Sequence, residues 1–318
     1  MLLRYTLSFA VFISHFNAAY GRKEPGNGVH SIGWYAVNGF FLLSGILVSQ
    51  SFLKRNVKSY LIARASRILP GYILALIASF GAVLLFQPLN KNIIYHGINF
   101  VGGNLLPFHD ISNGGYSSAW EKSIITAALN MSLWTIPFET FCYTIIVPLL
   151  LFTNVRKGCI FIIVVGFYFA CNLNLFRCDK DFLDTGRVLF FFTSGVGLWL
   201  IIDSSGRICK SKVRGALILG ISLCILIISR KNYVDVATDI LVFLVIIFSI
   251  YFKDIFKCLK IDFSYGIYLY AWPLTQISTQ LQLPFLTSFI LCACLLIAIS
   301  IFSCKYFEGP ALKLKKIT

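Results

Sequence analysis

"GFFLLSGILVSQSFLKRNVKSYLIARASRILPGYILALIASF", residues 39–80, holds two apolar runs separated by a segment with five basic side chains: Lys54, Arg55, Lys58, Arg64 and Arg67. Extended to their polar edges, at 34–53 and 69–87, the runs have about the twenty residues a helix needs to cross a hydrocarbon core of about 30 Å. Lysines and arginines between two such runs mark a cytoplasmic loop. The stretch therefore reads as span, inner loop, span, and its third span opens at Pro70.

The same pattern continues in both directions. Further spans are expected at 4–20, 130–152, 159–175, 187–202, 214–229, 236–252, 264–281 and 285–304. This predicts an all-α fold: a polytopic integral membrane bundle of about ten transmembrane helices, forming a single domain over 1–318. Composition agrees. The chain is 58% hydrophobic and 13% charged, with mean hydropathy +0.79, and a soluble protein of this size would need far more surface charge. Strands of a membrane barrel would alternate apolar and polar residues, and these runs do not.

The formal net charge is +15, but the basic residues sit in short loops rather than in one extended patch with aromatic platforms, which excludes a nucleic-acid binder. With the N-terminus inside, 19 of the 28 lysines and arginines fall in inner segments. Both termini are therefore expected in the cytoplasm. Of the ten cysteines, only Cys178 lies on the expected outer side, so no disulfide framework is expected. Cys292 and Cys294 read as packing residues on an apolar helix. No zinc-type His/Cys cluster, GxSxG elbow or phosphate-cradling glycine loop is present, so no metal is expected. Ser44-Gly45 reads instead as a point of close helix packing.

Two segments need separate reading. The first span, with Arg4 before it and "NAAYG" after it, has the form of a cleaved signal peptide. A signal peptide has no use for the His15 at the far end of its core, so the span is expected to be retained. The outer loop from Gln87 to Asn130 is rich in Gly, Asn and aromatics and contains His96 and His109. A loop that long either has a function or packs back on the membrane domain. Its Tyr95, Tyr116 and Trp120 suit sugar stacking and interfacial anchoring equally.

Ionisable residues inside spans are functional candidates because burial in lipid is costly unless they are paired or hydrated. His15 and Glu139 qualify. The plain alternatives are a core histidine bonded to a neighbouring helix and a structural partner for an arginine. Arg4 and His15 are eleven residues apart, three turns plus about 20°, so a helix puts them on one face roughly 16 Å apart. Arg64 and Arg67 are three apart and share a helix face, which lets both forks grip one anion. Pro70 is expected to end or redirect that segment at the membrane surface. Ordinary positive-inside charge accounts for Lys54, Arg55 and Lys58.

These pieces together resemble a known family. R-x10-H at 4–15, "GFFLLSGILVS" at 39–49, "RASRILP" at 64–70, "SLWTIPFETFCY" at 132–143, "SYGIYLYAWP" at 264–273 and "FEGP" at 307–310 stand in the order found in the acyltransferase-three family. That family comprises bacterial membrane enzymes that O-acylate surface polysaccharides. The resemblance implies the stand-alone membrane form, multi-pass in the bacterial cytoplasmic (inner) membrane. It implies an O-acetyltransferase that uses acetyl-coenzyme A, or another acyl-coenzyme A, as donor substrate without a bound cofactor. The acceptor would be a hydroxyl of a surface or lipid-linked glycan. His15 takes the family's catalytic position, and Arg64 and Arg67, with Arg4, its donor-binding positions. Two departures stand out: Asn38 replaces a common acidic residue, and Ala271 replaces the His of "YLxHxP", so that histidine's role cannot be carried over.

The chemistry is coherent. Coenzyme A phosphates suit the inner arginines, and the pantetheine arm is thin enough to thread a bundle. A neutral imidazole at the depth of His15 can take the proton of an attacking hydroxyl, and Glu139 is expected to fix its tautomer. The expected partners are acyl-coenzyme A, the glycan and the bilayer, with homo-oligomerisation left open. The competing class is a transporter of lipid-linked sugars or small anions, which often shows two related halves; no such halves are evident.

Overall fold

The computed structural model describes residues 1–86, 91–105, 129–151, 180–202, 233–251 and 261–314. Among these the protein is helical with no strand: α1 (Leu2–Ala19), α2 (Ile32–Leu53), α3 (Val57–Leu84), α4 (Lys91–Gly103), a 3-10 turn (Met131–Thr135) leading into α5 (Ile136–Leu151), α6 (Lys180–Ile202), α7 (Tyr233–Tyr251), α8 (Ser264–Gln280) and α9 (Phe285–Ser303). A π turn at Cys304–Glu308 carries α9 into the short α10 (Gly309–Leu314). Three helices among the described residues are long and apolar enough to cross a membrane: Ile32–Leu53, Val57–Leu84 and Phe285–Lys313. The outward face of α9 presents Leu286, Ile290, Leu295 and Phe302, as a lipid-facing surface should. The expected spans at 159–175 and 214–229 lie outside the described residues.

Local sequence sets the helix starts. Ser31 accepts from Trp34 N at 3.2 Å to cap α2, and Asn56 accepts from Ser59 N at 2.8 Å to cap α3. Asn130 caps the 3-10 turn through Ser132 N and ties it to α3 and α8, donating to Ser79 Oγ and Leu269 O at 3.0 Å each. α2 is apolar on all sides and sits centrally, between α1, α6 and α7. Its Gly45 meets α6 backbone to backbone: a Cβ there would lie 2.1 Å from Phe192 O, and one on Gly195 would lie 2.1 Å from Leu42 O. Ser44-Gly45 is thus the close-packing point the sequence suggested.

One expectation needs correction. Pro70 does not end or redirect its segment: α3 runs unbroken through it, so Arg64 and Arg67 ride on the spanning helix itself. α8 packs closely on this part of α3: the Tyr265 hydroxyl donates to Ile68 O at 3.3 Å and the Tyr265 ring packs on Gly71. The outer loop packs back on the membrane domain, one of the two outcomes expected for it. It contains α4, held flat against α3 by Phe80 over Gly97 and by the Tyr72 hydroxyl donating to Asn104 O at 2.7 Å. Tyr95 on α4 is exposed and meets His96 edge-on; His109, Tyr116 and Trp120 lie outside the described residues.

α1 and α8 run parallel and side by side, a register that positions the site. Tyr5 donates to Ile261 O at 2.6 Å, Ser8 to Ser264 O at 2.8 Å, and Tyr20 to Ser278 Oγ at 3.2 Å. In each of these three bonds the partner lies 256–258 residues later in the chain, the constant offset of a parallel pair.

Candidate functional site

At the end of the bundle that holds Met1, Lys54 and Arg55, a cavity of 530 Å³ opens between α1, α2, α3, α5 and α8. Arg4, Arg64, Arg67 and Glu139 all line it. The structure thus brings together four of the five site residues expected from sequence. Its inner end is walled by Phe40, Thr135 and Tyr268, the last two joined by a 2.8 Å hydrogen bond between hydroxyls.

The three arginines differ in their partners. Arg4 Nη1 donates to Asp262 Oδ2 at 2.6 Å. Arg67 is held twice, by the same Asp262 oxygen at 3.2 Å and by the fully buried Glu308 at 3.6 Å. Asp262 also accepts from the Ser264 hydroxyl at 2.6 Å. Burial pushes the Asp262 carboxyl up, but the guanidiniums of Arg4 and Arg67 and the Ser264 hydroxyl outweigh it, holding the carboxyl well below the usual range. Arg64 makes no ion pair among the described residues. It donates to Ser51 Oγ at 3.3 Å, as Arg55 does at 2.5 Å, and its Nε is buried without a hydrogen-bond partner. Both arginines line the cavity; Arg67 is paired with two carboxylates, whereas Arg64 has none among the described residues.

Glu139 accepts from the Tyr143 hydroxyl at 3.4 Å, and the charges that act on it are Arg4 and Arg67. It lines the cavity with the arginines, whereas the acid near His15 among the described residues is Glu24. His15 lies on α1 beyond the cavity, its ring edge-on to Trp272 of α8 with centroids 5.3 Å apart at 86°. Arg4 and His15 do share the face of α1 turned to α8, since one meets Asp262 and the other Trp272. Tyr268 and Trp272 are one turn apart on α8, so about 6 Å of rise separates the cavity's inner wall from the residue that touches His15.

Sequence reasoning missed Asp262, Ser51 and Glu24, and gave Glu308 no role within "FEGP". Asp262 left one signal, a lone acid between the Lys253–Lys260 basic segment and an apolar run. The Asn38 departure has a structural answer. Asn38 accepts from Arg187 at 2.5 Å and donates to Asp239 at 3.1 Å, so the carboxylate comes from α7 instead. Ala271 is fully buried within α8.

The model of the acyltransferase-three family, described as an acyltransferase domain, matches residues 2–305. A protein of Shigella phage Sf6, called an O-acetyl transferase, is 24% identical over 308 residues, covering 91% of this chain and 88% of its own length. No solved structure matches.

Proposed function

Because this chain belongs to the acyltransferase-three family and is an acyltransferase, we propose that it is an O-acetyltransferase of the bacterial inner membrane. In this reading it takes an acetyl group from acetyl-coenzyme A on the cytoplasmic side and places it on a hydroxyl of a surface or lipid-linked polysaccharide. The observation that carries the reading is the arginine-lined cavity, whose inner wall stands one helical turn from the residue touching His15. The O-acetyl transferase of Shigella phage Sf6 supports the choice of acetyl and of an oxygen acceptor.

The donor's phosphates enter at the basic mouth, where Arg64 lines the cavity without a carboxylate partner among the described residues and Arg55 and Lys54 add charge. Guanidinium forks suit phosphate oxygens better than ammonium groups do. Arg4 and Arg67, tied by Asp262, hold α1, α3 and α8 together around the opening, and Glu139 balances their charge on the cavity side. The pantetheine arm follows α2 inward to Tyr268. At His15 the imidazole takes the proton of the acceptor hydroxyl as its oxygen attacks the thioester carbonyl. The carbon–sulfur bond then breaks, and the imidazolium returns the proton to the departing thiolate.

Mixing purified protein, acetyl-coenzyme A and an acceptor glycan tests this by release of free thiol. The expected outcome is glycan-dependent release by the wild type and none by a normally inserted His15→Ala variant. A His15→Ala protein with wild-type release would remove His15 from the mechanism.

A further inference from the structure

The connection between α1 and α2, residues 20–31, does more than link two helices. Gly21 and Gly28 take positive φ, 66° and 91°, and Ile32 N donates to Pro25 O at 2.7 Å. These turns bend the connection back over the end of α1 and bring Glu24 down beside it. There the Glu24 carboxylate accepts a hydrogen bond from the Ser14 hydroxyl, and Glu24 itself is only half-buried. Ser14 is buried and pressed against Gly33 of α2, where a Cβ would lie 2.7 Å away. The anchor is therefore fixed by a helix–helix contact. The next residue is His15, whose Nδ1 is shut from solvent and has no hydrogen-bond partner.

We propose that Glu24 is the positioning residue of His15: its carboxylate, anchored on Ser14, steadies the imidazolium that forms when His15 takes the acceptor's proton. This rests on the reading of His15 as the base. Forming a cation in a low-dielectric interior is costly, and a nearby carboxylate offsets the cost. Glu24 exchanges no proton; the hydroxyl proton passes to the imidazole and on to the leaving sulfur. Glu139 cannot fill this place while it faces Arg4 and Arg67. Among the described residues near this end of α1, the charged groups on the connection have other surroundings. α8 contributes Trp272 and α2 contributes Gly33, Arg22 stacks over Phe285 of α9 at 3.8 Å, and Lys23 is exposed.

The test measures thiol release against pH for wild type, Glu24→Gln, Glu24→Asp, Ser14→Ala and His15→Ala. Losing the negative charge makes the imidazole less basic. Glu24→Gln should therefore lower kcat about ten- to hundredfold, leave the donor KM unchanged and move the acid limb of the profile to lower pH. Glu24→Asp should recover part of the loss. Ser14→Ala keeps the carboxylate but frees it, and should lower kcat by a smaller factor; it carries the test if Glu24→Gln does not fold. An unchanged kcat and acid limb in Glu24→Gln or, in its place, in Ser14→Ala, with His15→Ala inactive, overturns the proposal and leaves His15 standing. A fall in kcat with no movement of the limb reduces Glu24 to a structural role and overturns it too. An active His15→Ala would overturn the underlying reading instead.

Discussion

Arg64 and Arg67 lie three residues apart on one helix face, yet the structure gives them different partners. Arg67 neutralises Asp262 and the buried Glu308, whereas Arg64 has a buried Nε with no partner. Arg64→Ala should raise the donor KM about ten- to hundredfold, the cost of a lost charge-assisted bond of about 1.5–3 kcal/mol, and leave the melting temperature near wild type. Arg64→Lys should recover only part of the affinity, for want of the fork. Arg67→Ala should show its effect as lost stability, about 3–5 kcal/mol, because it strands a carboxylate in the interior. Donor titration and detergent melting curves separate the two; a normal melt for Arg67→Ala with a raised KM would place it in the donor site. Asp262 carries a pH signature. Its carboxyl is held low in the folded protein, so its stabilising share is full above the ordinary carboxylate pKa of about 3.9 and is lost as pH falls toward the lowered value. Asp262→Asn should melt lower than wild type at neutral pH and lose less on acidification. Parallel melting curves for the two proteins would refute this.

At the scale of elements, the parallel pair α1 and α8 sets the site. Arg4 meets Asp262 at one end, and His15 meets Trp272 eleven residues on. Inserting one Ala after Ala10 rotates His15 by 100° relative to Arg4 without removing a side chain. Activity should fall to background, while an extra residue before Arg4, which preserves their relation, should be tolerated. Equal activity in both insertions, with matched expression and melting, would mean that the two residues act independently. The shared face of Arg4 and His15 was legible in their spacing, because helical periodicity is a local property. The continuation of α3 through Pro70 was not: a proline reads locally as a break, and the packing around it includes Tyr265 of α8, nearly two hundred residues on. α4 was hidden for a similar reason, since its burial depends on Phe80 and Tyr72 of α3.

For the whole molecule, hydropathy alone shows a helical membrane protein, since lipid leaves few other backbone solutions. The ordered motifs carry the family, and the family match over residues 2–305 bears that out. The residues that link the site together are less legible. Asp262 and Glu24 are ordinary acids at loop positions, and only the fold shows that one ties Arg4 and Arg67 at the cavity and the other reaches Ser14 of α1. Glu139 shows the converse: an acid inside an apolar run invites pairing with the nearest functional histidine, yet the fold sets it among arginines. If one path joins the arginine-lined cavity to His15, a structure with a non-transferable thioether analogue of acetyl-coenzyme A bound will show it. Phosphates are expected at Arg64, the pantetheine along α2, and the acetyl carbonyl past Tyr268 beside His15 and Trp272. An analogue bound elsewhere, or one seated in the cavity with its carbonyl held away from His15, would contradict it.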